Sequence, residues 1–229
     1  MRRAPHSRAV GRRFLNERRR DPYYREAQRA GLRSRAAFKL AYLLERFPLA
    51  HPGDHVLDLG AAPGGWSIVV RDAVGPRGRV VAVDPRAVPP IEGVRVVRGR
   101  VGDPDLLARL AATGAPPFQL VLSDISPRIS GAYATDHARS VGLVRDAYGL
   151  ARDLLAPGGA FVAKVFAGDL LDDLEAEISP AFERVRRTKP PASREPSSEL
   201  YLIALGFRAV STRDRTVAAT GPVPSAFDI

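Results

Sequence analysis

The stretch Val56-Leu57-Asp58-Leu59-Gly60-Ala61-Ala62-Pro63-Gly64-Gly65-Trp66-Ser67 decides the reading of this chain. His55–Leu59 is a short apolar strand, Gly60 to Gly65 form a glycine-rich turn, and a helix is predicted over about 65–75. In a sheet of alternating strands and helices, a turn at the carboxyl end of the first strand is where ligands bind. Glycine lets the backbone come close to a ligand, and the helix amino terminus that follows offers free N–H groups. The dinucleotide pattern Gly-x-Gly-x-x-Gly is absent, which disfavours a nicotinamide dehydrogenase.

The alternation extends outward from this stretch. Strands are predicted at 79–84, 93–97, 118–123, 160–166 and 199–205, with a weaker one at 185–188. Helices are predicted near 103–113, 136–155 and 168–178. Upstream, Ser34 can cap a helix over 35–47 whose apolar face is Ala37, Leu40, Leu43, Leu44 and Phe47; Pro48 and the Pro52-Gly53 pair end it. Val- and Leu-rich strands separated by helices indicate an α/β domain with a mainly parallel sheet covered on both faces. Asp84 ends the second strand, where a carboxylate can accept hydrogen bonds from a ribose diol. The domain is expected over 33–206. Residues 1–32 read as a basic, irregular arm with room for a short helix near 22–30, and 207–229 as a tail without clear period.

The charge is unevenly placed. The net charge is +10, and residues 1–39 hold thirteen basic and three acidic side chains, so the whole excess falls there. A basic arm on a neutral domain suits a polyanion, and Phe14, Tyr23 and Tyr24 interleave with the arginines as base-stacking groups do. No apolar run approaches the ~20 residues of a membrane span, and no apolar stretch follows the basic N-terminus, so a cytoplasmic protein without a membrane partner is expected. There are no cysteines, and the four histidines lack ligand spacing, so no metal site is expected.

Lysine usage narrows the chemistry. Of 35 basic residues only Lys39, Lys164 and Lys189 are lysine. Lysine can give up its proton when buried and arginine cannot, so rare lysines are candidates where Arg would fail. Lys164 lies within the apolar run Phe161-Val162-Ala163-Lys164-Val165-Phe166. The bland alternative is a structural ion pair with Asp124.

The cofactor turn resembles that of the FtsJ-type 2′-O-ribose methyltransferases. So do Asp21-Pro22-Tyr23-Tyr24, Arg33-Ser34-Arg35-Ala36-Ala37-Phe38-Lys39-Leu40, Ser123-Asp124-Ile125-Ser126-Pro127, Leu155-Ala156-Pro157-Gly158-Gly159, Val162-Ala163-Lys164-Val165-Phe166 and the Ser-Ser-Glu-Leu-Tyr around Glu199. The resemblance covers about residues 20–206 in one order. It implies a Rossmann-like methyltransferase fold with a seven-stranded sheet, S-adenosylmethionine as cofactor, and a catalytic tetrad of Lys39, Asp124, Lys164 and Glu199. It also implies that the turn (Gly60, Ala61, Pro63, Gly64, Gly65, Trp66) holds the cofactor together with Asp84 and Asp124. One departure stands out. Arg100 aligns where the family carries an acid that contacts adenine; Asp103 or Asp105 could substitute, or backbone groups alone could serve.

The implied chemistry is in-line methyl transfer to a ribose 2′-hydroxyl. Lys164 would be the proton acceptor, Asp124 would orient it, and Glu199 would pair with Lys39. The compact members of the family methylate a uridine of large-subunit ribosomal RNA. The expected partner is therefore ribosomal RNA or the large subunit, bound by a monomer. The alternatives are a tRNA 2′-O-methyltransferase and a non-catalytic RNA-binding assembly factor that has kept the fold.

Overall fold

The computed structural model describes residues 36–191 and 198–208. The expected arm over 1–32, the helix near 22–30, the Ser34 cap and all but the first two residues of the expected tail lie outside the described residues.

The elements are α1 (Ala36–Arg46), β1 (His55–Leu59), α2 (Gly65–Val74), β2 (Arg79–Asp84), β3 (Val94–Arg98), α3 (Leu106–Ala111), β4 (Phe118–Ser123), α4 (Tyr133–Leu154), β5 (Leu155–Phe166), α5 (Leu171–Ile178), a 3₁₀ turn (Ser179–Ala181), β6 (Phe182–Thr188) and β7 (Glu199–Phe207). The seven strands form one sheet in the order β3-β2-β1-β4-β5-β7-β6. Strands β1 to β5 are mutually parallel, whereas β7 runs antiparallel to both β5 and β6. The expected mainly parallel sheet is therefore mixed at one side. The sequence pattern of β7 says that it is buried, not which way it runs.

Side chains alternate across the sheet. Leu57, Leu59, Val83, Val121, Phe161 and Ala163 face a core closed by α3, α4 and α5, and Val56, Val80, Leu120, Leu122, Val162 and Ile203 face a second core closed by α1 and α2. Burial of such a set at roughly 25 cal/mol per Å² of apolar surface is the main force holding both layers on the sheet.

Some boundaries differ from the sequence expectation. β6 begins at Phe182 rather than 185, because only Phe182 and Val185 turn inward while Glu183, Arg184, Arg186 and Arg187 stay exposed and mask the strand. α3 is shorter than 103–113: Asp103 turns back to the Arg100 N–H of the preceding turn, and Asp105 stands at the N-cap and pairs forward with Arg109. β5 starts directly after α4; its register jumps from Phe118↔Leu155 to Leu120↔Ala160, so 156–159 loop out between two paired segments. β7 runs past 206 to the buried Phe207, which packs on Phe182 at 5.4 Å.

Candidate active site

β1 pairs with β2 on one side and β4 on the other, so the chain reverses its winding direction between β1 and β4. That switch point is where an open α/β sheet forms a crevice beyond the carboxyl ends of its strands. Here the crevice is a cavity of about 710 Å³. Gly60, Ala62, Asp84, Arg100, Asp124 and Asp146 stand on its walls, with Val101, Ile125 and Leu143 adding apolar surface. A hollow of about 610 Å³ beside His55 and Gln119 lies at the opposite, amino ends of β1 and β4, away from the rare lysines.

The turn after β1 owes its shape to glycine. Gly60 has φ +78°, and a Cβ there would stand 2.8 Å from Ile125 Cγ1. The Asp124 N–H donates to the Leu59 carbonyl (3.1 Å), which ties the ends of β1 and β4 together at this point. Gly64 caps α2 in the left-handed region (φ 103°), and Gly65 opens the helix. Ala61 is buried against Val88 and Ile91, and Pro63 is exposed beside the turn. Trp66 is buried too: its Nε1 donates to the Ala36 carbonyl (2.7 Å) and its ring lies 5.6 Å from that of Tyr201. The Trp66 side chain thus locks α1 to α2 and β7 rather than lining the cavity.

Asp84 is almost wholly buried and fully engaged. It accepts from the Ala62 N–H (2.9 Å) and the Arg86 N–H (2.8 Å), and the Arg86 guanidinium spans both its oxygens at 3.1 Å. Burial pushes its carboxyl up, but the Arg86 contacts and the two backbone donors outweigh that and hold it below the ordinary range. Asp103 does not line the cavity. Its carboxylate takes the Arg100 N–H (2.7 Å) and Arg109 (3.3 Å), while Asp105 pairs with Arg109 at 3.0 Å. Arg100, Val101 and Gly99 form that wall instead.

Two lysines and two acids meet beside the cavity. Lys164 Nζ lies 3.0 Å from Asp124 Oδ1 and 2.9 Å from the Asp124 carbonyl oxygen. Lys39 Nζ pairs with Glu199 Oε1. Both lysines are buried. The topology makes this possible: because β7 enters antiparallel, its first residue, Glu199, pairs with Phe166, the last residue of β5. α1 then brings Lys39 over the sheet from the other direction.

Tyr201, which the sequence reading did not single out, joins the two pairs. Its hydroxyl lies 2.8 Å from Glu199 Oε1 and 3.2 Å from Asp124 Oδ1. Its single proton serves one acceptor at a time. The ring is buried, and Lys39 Nζ sits 5.9 Å from its centroid. The available signal was the two-residue strand period: Glu199 and Tyr201 must point to the same face. Burial pushes the Tyr201 phenol well up, and the carboxylates of Asp124 and Glu199 push it further. For Glu199 burial again works upward, but the ammonium groups of Lys39 and Lys164 prevail and hold its carboxyl below the ordinary range.

Beneath the turn, Asp58 is wholly buried. Oδ2 accepts from Ser67 Oγ (2.6 Å), and Oδ1 has no hydrogen-bond partner among the described residues. Burial pushes this carboxyl up to about 7, with Asp124 and Asp84 adding to the rise against the Ser67 bond.

The sequence model of the FtsJ-like methyltransferases matches residues 32–207. The chain belongs to this family. Among its relatives, the ribosomal RNA large subunit methyltransferase E of Natronomonas pharaonis is 47% identical over 196 residues, covering 86% of this chain and 77% of that protein. The protein of the same name from Archaeoglobus fulgidus is 43% identical over 192 residues, covering 84% and 98%. A crystal structure from Plasmodium falciparum, solved as that of a ribosomal RNA methyltransferase, superposes with a TM-score of 0.70 at 24% identity, covering 76% of this chain and 98% of that one. The fold of this family member is the Rossmann-like one of S-adenosylmethionine-dependent methyltransferases.

Proposed function

We propose that this methyltransferase transfers the methyl group of S-adenosylmethionine to a ribose 2′-hydroxyl of ribosomal RNA, a uridine of the 23S molecule. The observation that carries the reading is the joined pair of ion pairs, Lys164–Asp124 and Lys39–Glu199, at the rim of the cavity. The relatives' names and the basic N-terminal stretch support the substrate class.

The cavity residues suit the cofactor. Its volume lies within the usual range for small-ligand sites. Glycine at 60 leaves room that any Cβ would take from Ile125. Asp84 offers acceptors for a ribose diol once the exposed Arg86 turns aside. The Asp124 carboxylate supplies negative charge toward a sulfonium. With Asp103 engaged elsewhere, Asp146, which no described residue hydrogen-bonds or pairs with, is an acceptor available to an adenine amine. When bound, the cofactor supplies a methyl group already activated by its sulfonium.

The protein's share is alignment and proton acceptance. A ribose hydroxyl is a weak nucleophile while protonated. Lys164 is the acceptor of that proton, having first released its own; Asp124 grips its nitrogen at two points and fixes its direction. Glu199 and Tyr201 hold Lys39 and Asp124 in place from β7. Because the task is to accept a proton, Lys164→Arg keeps the charge and loses the chemistry. The test is methyl transfer from labelled S-adenosylmethionine to 23S rRNA, isolated large subunits and tRNA. Wild type should label one uridine of the rRNA or subunit. Lys164→Arg should bind S-adenosylhomocysteine normally yet transfer at least about 100-fold more slowly. Turnover like wild type in that variant refutes the proton-acceptor role. Labelling of tRNA alone refutes the rRNA substrate, and no transfer to any RNA returns the chain to a binding protein.

A further inference from the structure

Four large apolar side chains are conspicuously exposed among the described residues: Val96, Leu107, Ile129 and Tyr133. Two of them lie together where the chain leaves Asp124: Ile129 in the 125–132 loop, and Tyr133 as the first residue of α4. Arg128 of the same loop stands on the cavity wall, exposed, with no carboxylate partner among the described residues.

Tyr133 is 60% exposed yet firmly held. Its hydroxyl donates to the Ala167 carbonyl at 2.5 Å. Its ring lies nearly parallel to the His137 imidazole, with 16° between planes and 6.4 Å between centroids. His137 itself is buried and fixed at both nitrogens: Nδ1 lies 2.9 Å from the Phe166 carbonyl oxygen, and Nε2 accepts from the Leu170 N–H at 3.1 Å. The loop before it is pinned as well, because the Asp136 carboxylate takes the N–H groups of Ser130 and Gly131 and the Ser130 hydroxyl. The outcome is an aromatic ring of fixed plane, with one side toward an imidazole and ample surface left to solvent. It stands at the catalytic edge: Ala167 lies three residues beyond Lys164, and its N–H donates to the carbonyl of Ser198, the neighbour of Glu199.

A rigid exposed ring is costly to keep in water and well suited to a flat π-partner. Single-stranded nucleic acid is bound through such rings, with cations nearby for the phosphates. We infer that Tyr133, backed by His137, is a stacking platform for an unpaired base of the RNA substrate at or next to the methylated nucleotide, with Ile129 extending its apolar surface and Arg128 meeting the phosphate. The inference rests on the RNA reading above and names the surface that holds the substrate beside Lys164.

The experiment compares wild type with Tyr133→Ala, Tyr133→Leu and Tyr133→Phe. It reads kcat and KM for methyl transfer to 23S rRNA transcribed in vitro, retention of the same RNA on filters, and S-adenosylhomocysteine affinity by calorimetry. Stacking on a lost ring predicts an RNA Kd and KM raised between about 5- and 150-fold in the Ala variant, with cofactor-product affinity unchanged. The Leu variant refills the space over His137 without a π-face and should behave like Ala. The Phe variant lacks only the tether to Ala167 and should stay within about twofold of wild type. RNA affinity like wild type in the Ala and Leu variants overturns the inference. Equal loss in the Phe variant also overturns it, since the hydroxyl tether would then be what matters. Should wild type methylate no RNA, the functional reading fails by itself, and filter retention still decides the role of the ring.

Discussion

Replacing Asp58 by asparagine should change how the stability of this protein depends on pH. In the fold the carboxyl is pushed up to about 7, from 3.8 in an unfolded chain, because it is wholly buried and only Oδ2 has a partner. Between those two values the native state holds a proton that the unfolded state has lost. Stability therefore falls as pH rises through the window, and is flat above about 7. At 1.36 kcal/mol per pH unit the full loss is about 4 kcal/mol, a large share of a typical folding free energy. Carboxylates held below their ordinary range, such as Glu199 and Asp84, act with opposite sign and chiefly below pH 4.5, so they leave this window largely to Asp58. Asparagine keeps an acceptor for Ser67 and never ionises. Urea unfolding of wild type and Asp58→Asn at intervals from pH 4 to 8 is the assay. The variant should gain on wild type by about 4 kcal/mol across the range, whatever its offset at pH 4. Parallel curves from pH 5 to 8 would refute the argument, for they would mean that Asp58 titrates as an ordinary carboxyl.

Tyr201→Phe keeps the ring against Trp66 but removes the hydroxyl that faces Glu199 and Asp124; kcat should fall by roughly tenfold, in line with about 1.5 kcal/mol for a hydrogen bond to a charged group, while S-adenosylhomocysteine affinity by calorimetry stays near wild type. Gly60→Ala forces a side chain into the left-handed region and toward Ile125; a stability loss of about 1–3 kcal/mol is expected by thermal melting, together with weaker S-adenosylhomocysteine binding.

Much of the fold was legible because its signals are local. Strands β1, β2 and β4 and helix α2 show continuous apolar runs or helical periodicity bounded by glycine and proline, and they lie within a residue or so of the expected limits. What escaped depends on long-range pairing. The antiparallel course of β7 is set by its neighbours, and β6 hides its two buried positions among charged ones. The site divides in the same way. Lys39 and Lys164 stand out in a chain that otherwise uses arginine, and Asp124 and Glu199 were legible through motifs. Tyr201 and Arg86 were not singled out in the sequence; the fold is what sets them against Asp124 and Asp84. Asp103 fitted the adenine wall by sequence proximity, but the nearby Arg100 N–H and Arg109 claim it first.

Strand β7 wedges between β5 and β6 and delivers Glu199 and Tyr201 to a rim whose other members come from much earlier in the chain. During synthesis Lys39, Asp124 and Lys164 therefore leave the ribosome before the groups that brace them. Until β7 docks, β5 presents a bare row of peptide groups and Lys39 is without its partner Glu199. The rim of the site is then complete only once the last strand of the sequence has taken its place inside the sheet.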